Sequence, residues 1–177
     1  MYTEDEVIEL LKALPPECEF IDYKQIGYKK DKQGYFIKDV ISMLNAYTAY
    51  GRNRFIIIGV DDNRELVGIS EEEIRDDNEY QNWINKISPK PIVNTGQIKY
   101  GNKVFEIICI NKENDGQIYE LVQGINIQPI HEGQTFYRQG SQNAVLTEEV
   151  RRKIRLSYFD ESKYREKLVE LIDSYQG

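Results

Sequence analysis

The spacing of apolar positions changes from segment to segment along this chain, and each spacing predicts an element. The densest run is Arg54-Phe55-Ile56-Ile57-Ile58-Gly59-Val60-Asp61-Asp62, apolar residues closed by two carboxylates. A short apolar run that ends in turn residues predicts a strand buried on both faces. Gly59 lets another backbone or a ligand come close just before the acids. The acids themselves read either as a solvated turn or as groups held at the mouth of a cleft.

Upstream, Val7, Leu10, Leu11 and Leu14 recur at helical spacing behind Thr3 and Glu6, so residues 4–14 form an amphipathic helix that Pro15-Pro16 stops. Glu17 to Lys24 is strand-like and rich in acids. Alternation there puts Phe20, Asp22 and Lys24 on one face and Glu19, Ile21 and Tyr23 on the other. Residues 25–34 are a polar, basic loop, and Ile37, Val40, Ile41, Leu44 and Tyr47 mark a long helix over about 35–49, ended near Gly51. After Asp62, residues 65–69 read as a hairpin partner of the central strand.

A short helix near 71–76 and a longer one over 78–88 follow. Strands at 92–100 and 103–110 are joined at Gly101-Asn102. Shorter strands are expected at 117–122, 125–130 and 134–138, then helices from Thr147 and over about 161–175. The fold class is therefore α/β or α+β, a mixed sheet with helices packed on its faces. Residues 1–158 read as one domain, with 159–177 as a C-terminal helix that docks, dimerises or opens a further region.

Composition narrows the chemistry. Two cysteines and one histidine among 177 residues argue against a disulfide framework, a thiolate zinc site and a histidine-rich metal site. No apolar run is long enough to span a membrane and the N-terminus lacks a signal-peptide pattern, so the chain is expected to be cytoplasmic. A net charge of −7 argues against a broadly basic nucleic-acid binder without excluding a local basic groove. There is no phosphate-binding glycine fingerprint and no nucleophile triad.

Asp22-x-Lys24 on one strand face is an arrangement that metal-dependent nucleases use, the carboxylate holding the ion and the lysine countering developing charge. Glu17, Glu19, Asp61 and Asp62 are available to complete such an ion's shell, while the competing reading is a simple ion pair. Basic residues gather at Lys24, Lys29, Lys30 and Lys32, and again at Arg138, Arg151, Arg152, Lys153 and Arg155. Tyrosines among them suit single-stranded or looped nucleic acid, and the plain alternative is a solvated helix face paired with Glu148 and Glu149. Arg52, in the Gly51-Arg52-Asn53-Arg54 turn before the central strand, is a candidate anion contact, with a plain basic turn as the competing reading.

Taken in order, these segments resemble the Schlafen AlbA-like domain. Glu17 and Asp22-Tyr23-Lys24 match its Glu-Ser-x-x-x-Glu-Phe-Lys element, with Asp22 where a glutamate is usual. Asn45 to Gly51 matches its Ala-x-Asn-Thr-x-Gly-Gly turn in part, Arg52 replacing the second glycine. Ile58-Gly59-Val60-Asp61-Asp62, Leu66-Val67-Gly68 and Tyr137-Arg138-Gln139-Gly140-Ser141 match the remaining elements, so the resemblance spans about residues 15–156. It implies a divalent-metal-dependent endoribonuclease on structured RNA such as transfer RNA, with Glu17, Asp22 and Asp62 holding Mg2+ or Mn2+ (Asp61 as fallback) and Lys24 supporting catalysis. Lys29, Lys30, Lys32, Arg52 and Arg138 would contact the nucleic acid, RNA before DNA. A non-catalytic nucleic-acid- or nucleotide-binding regulatory module is the alternative. Because animal members pair two such lobes, a homodimer is expected, with no membrane partner.

Overall fold

The computed structural model describes residues 1–47, 53–112, 116–157 and 161–176. Its centre is a mixed four-stranded sheet built from β1 (Ile21–Lys24), β2 (Asn53–Ile58), β4 (Ile92–Tyr100) and β5 (Lys103–Asn111), in the order β1-β2-β5-β4. β1 runs parallel to β2, with Asp22 beside Ile56 and Lys24 beside Ile58. β5 lies antiparallel on the other side of β2, and β4 closes the sheet as its hairpin partner across Gly101-Asn102. The central strand is buried on both faces, as its apolar run predicts.

Helices cover each face. On one side α1 (Glu4–Ala13) buries Val7 and Leu11 against Ile21, Tyr23, Phe55, Ile57 and Phe105. Thr3 Oγ1 accepts the Glu6 N–H at 3.2 Å, and Leu14 in the left-handed region ends the helix before the prolines. On the other side α2 (Gln33–Leu44) and α3 (Asp77–Ile84) pack Phe36, Ile37, Val40, Tyr80, Trp83 and Ile84 against Ile56, Ile58, Ile108 and Ile110. α2 begins two residues earlier than its periodicity predicts and stops at Leu44. Its entry is fixed by Gly34, where a Cβ would lie 1.8 Å from the Gln128 carbonyl oxygen. The expected helix end near Gly51, and Arg52 with it, lies outside the described residues.

Residues 65–69 fold back antiparallel on the end of the central run, just past β2: Val60 bridges Leu66, the Asp61 N–H donates to the Glu65 carbonyl at 3.0 Å, and the Val67 and Gly68 N–H groups donate to the Gly59 carbonyl at 2.9 and 2.7 Å. Along its length β2 itself pairs with β1 and β5, and Ile69 goes on to bridge Val104. The close approach that Gly59 allows is to backbone: a Cβ there would lie 3.1 Å from the Gly68 Cα, and its φ of 111° suits glycine. Downstream, β3 (Ile87–Ser88) pairs with β6 (Glu120–Leu121), and β7 (Phe136–Gln139) with β8 (Gln142–Val145). The strand expected at 125–130 is reduced to one bridge, Ile127 to Ile130. α4 (Glu148–Ser157) packs Val150 and Ile154 on Leu146, Tyr47 and Tyr137. α5 (Glu161–Gln176) leaves Leu168, Val169, Leu171 and Ile172 exposed, on the helix expected to pair with a second subunit. No helix among the described residues is long and apolar enough to cross a membrane.

Candidate nucleic-acid interface

Strand alternation sends Asp22 and Lys24 to the α2 side of β1, while Ile21 and Tyr23 enter the α1 side. The β7–β8 hairpin reaches the same place from far along the chain. Its Arg138 guanidinium donates from Nη2 to Asp22 Oδ1 at 2.8 Å and from Nε to the Cys18 carbonyl at 2.8 Å. Arg138 stands opposite Asn143 in the hairpin register, and its Nη1 donates to Asn143 Oδ1 at 3.3 Å. Lys24 Nζ sits between two acids, 2.8 Å from Asp22 Oδ2 and 3.5 Å from Asp39 Oδ2. Asp39, from α2, accepts Tyr28 Oη at 2.6 Å and Asn143 Nδ2 at 2.7 Å.

Two carboxylates and two cations therefore cancel inside one hydrogen-bonded cluster. Asp22 and Arg138 are each 3 % exposed. Burial pushes the Lys24 ammonium down, but Asp39 and Asp22 more than offset it and hold it above the ordinary lysine range. Burial, reinforced by the neighbouring Asp39 and Asp22, holds the Tyr28 hydroxyl well above the ordinary tyrosine range. The cluster ties β1, α2 and the hairpin into one unit.

The acids of the 17–19 segment serve the backbone at the sheet's edge. Glu17 Oε1 accepts the Tyr23 N–H at 3.0 Å, on the outer edge of β1, and Glu19 Oε1 accepts the Gly140 N–H at 2.9 Å. Asp61 Oδ1 caps its own turn, accepting the Asn63 and Glu65 N–H groups at 2.9 and 2.8 Å. Asp62 is exposed beyond the end of β2.

Glu17, Asp22 and Asp62 do not come together. Among the described residues, no group of three or more His, Cys, Asp and Glu side chains is arranged to hold a metal ion. A divalent ion needs carboxylate oxygens it can claim, and each Asp22 oxygen already lies 2.8 Å from a protein cation. The donor set does not fit Mg2+ or Mn2+ in this arrangement. Arg138, expected on phosphates, is likewise turned inward.

The basic loop behaves differently. Lys29 and Lys32 are exposed, with Lys32 Nζ 5.2 Å from the Tyr35 ring centroid, and Lys30 pairs loosely with Glu79 at 3.3 Å. Beside them, between the end of β1 and α2, opens a recess of about 480 Å³. Lys24, Lys29, Lys32 and Tyr35 line it with Ile26 and Asp39. Arg75 anchors the loop from below by donating to the Tyr28 carbonyl, its guanidinium 4.7 Å from the Trp83 ring centroid. In the second basic cluster, Arg151 pairs with Glu120 and Glu148 and Lys153 with Glu149, as on a solvated helix face, while Arg138 leaves it for the interior.

Sequence pattern did not single out Asp39 or Asn143, and it marked Tyr28 only as one of the tyrosines among the basic residues, where the structure buries it against Asp39. The available signal was an acid inside the Phe36-Ile37-Lys38-Asp39-Val40-Ile41 helix, and an asparagine paired in register with Arg138. Asn45, in the partly matched turn motif, is a stitch: its side chain is bonded to the Tyr119 carbonyl and N–H and to the Phe136 carbonyl.

The family model described as Schlafen, AlbA_2 matches residues 17–147. The crystal structure of the DIP2311 protein of Corynebacterium diphtheriae shares the fold, with a TM-score of 0.55 and 14 % identity over 86 % of this chain. This chain spans 28 % of that protein's length. The N-terminal domain of a RecG-related protein from Nitrosomonas europaea aligns with a TM-score of 0.43 and 15 % identity, covering 84 % of this chain and 97 % of that domain. No curated protein matches the sequence.

Proposed function

From the premise that this chain belongs to the Schlafen AlbA_2 family, we propose that it is a nucleic-acid-binding module whose inner acids serve the fold. The observation that supports this reading is the split between the two charged groups. Asp22, Asp39, Arg138 and Lys24 neutralise one another, whereas Lys29 and Lys32 stand at the surface beside an exposed tyrosine. Surface cations that give up counterions to phosphates supply affinity, and a neutral buried cluster supplies none. The local basic rim also reconciles nucleic-acid binding with the chain's net charge of −7.

The test is to incubate the protein with labelled transfer RNA and manganese, beside Asp22→Ala and Asp62→Ala variants. Binding that weakens as salt rises, with no cleavage traceable to either acid, is the expected result. Cleavage that both substitutions abolish would overturn the module reading and restore a metal-dependent endoribonuclease.

A further inference from the structure

The geometry points to a binding site for one unpaired nucleobase in the recess between the end of β1 and α2, which narrows the proposed nucleic-acid binding to single-stranded or looped segments and rests on it. The recess, about 480 Å³, falls within the usual size of small-ligand sites. Its walls are of two kinds. Ile26 and Tyr35 are 59 % and 47 % exposed, a large apolar side chain and an aromatic ring left in water at the same opening. Lys24, Lys29 and Lys32 stand around them, while Asp39 lies at the floor with its carboxylate held by Tyr28 and Asn143.

A bare phosphate would meet the lysines but also face Asp39. An apolar peptide would leave the exposed Lys29 and Lys32 ammonium groups unanswered. A nucleotide of an open strand answers every group: its base lies against Tyr35 and Ile26, an amino group on the base can donate toward Asp39, and the flanking phosphates reach the lysines. Tyr35 is suited to the role because Lys32, which approaches its ring at 5.2 Å, can follow the backbone while the ring takes the base. A paired base inside a duplex offers no free face, and extracting it costs a few kcal/mol, so the recess selects unpaired strands.

Fluorescence anisotropy tests this with one labelled sequence offered as single-stranded RNA, as single-stranded DNA and as the blunt duplex of each. The single strands bind more tightly than the duplexes. Tyr35→Ala weakens single-strand binding by about 5- to 150-fold, the usual cost of losing one stacked base, and leaves duplex binding unchanged, while Tyr35→Phe keeps parental single-strand affinity. Lys29→Ala weakens all forms alike. Because Tyr35 is at the surface, circular dichroism of the variants should match the parent. Duplexes that bind as tightly as single strands, or a Tyr35→Ala variant with undiminished affinity, overturn the recess while nucleic-acid binding stands. No binding of any form removes both. The RNA and DNA arms show which strand the site takes.

Discussion

The inner cluster and the outer rim use the same residue types to opposite ends. Both combine lysines, tyrosines and aspartates around β1 and its end, and Lys24 belongs to each. Inside, Asp22 meets Arg138 and Lys24 at 2.8 Å and Asp39 lies 3.5 Å from Lys24 while accepting from Tyr28 and Asn143, and the result is a joint between strand, helix and hairpin. At the rim the lysines stand in water beside a ring and an isoleucine. Charge alone does not decide whether a group builds or binds. Solvent access and the partner already in place do.

The comparison breaks most visibly at Arg138. Arg138→Ala leaves Asp22 buried without its guanidinium and is expected to destabilise the fold by about 3–5 kcal/mol, read from urea denaturation. A loss within about 0.5 kcal/mol would mean the cluster is not a structural joint. Tyr28→Phe deletes only the hydroxyl that donates to Asp39, a bond to a charged acceptor, and should cost about 1.5–3 kcal/mol by the same measurement. Arg138→Ala should leave nucleic-acid affinity unchanged once refolded at permissive temperature. A smaller effect concerns Glu106, a buried acid of β5 that accepts the Arg75 N–H at 3.2 Å and lies beside the Tyr80 hydroxyl. Burial pushes its carboxyl above the ordinary glutamate range. With the folded value raised, its contribution is fully present below the unfolded pKa and lost as pH rises through the folded one. Glu106→Gln should therefore gain stability relative to the parent between about pH 4 and pH 7, and equal shifts at both would contradict the buried acid's role.

Much of the scaffold was legible in local pattern. The apolar run of β2, the Gly101-Asn102 hairpin, the capped first helix and the acid-paired α4 are all where spacing puts them. Alternation also placed Asp22 and Lys24 on one face correctly. What local pattern does not carry is the identity of distant partners. β2 takes β1 and β5 along its two edges, and residues 65–69 fold back only on the chain past its end, at Gly59–Asp61. The same limit applied at the site. Asp22-x-Lys24 with nearby acids reads as a metal cradle until Arg138 arrives from 116 positions away and claims a carboxylate oxygen. Glu17 reads as a ligand until β1 is seen to be an edge strand with a free N–H. Arg138 reads as a phosphate contact until the hairpin register turns it inward.

The division between joint and rim is tested most directly by the salt dependence of binding. The logarithm of the association constant for a labelled single strand is measured against the logarithm of salt concentration for three proteins: the parent, the Lys29→Ala/Lys32→Ala double variant and Asp22→Asn. On a single strand each phosphate contact removed lowers the slope by about 0.7, so the double variant should lose about 1.4 while its stability stays within about 0.5 kcal/mol of the parent. Asp22→Asn should keep the parental slope. An unchanged slope in the double variant, with a changed one in Asp22→Asn, would put the nucleic acid at the inner acids and contradict the account.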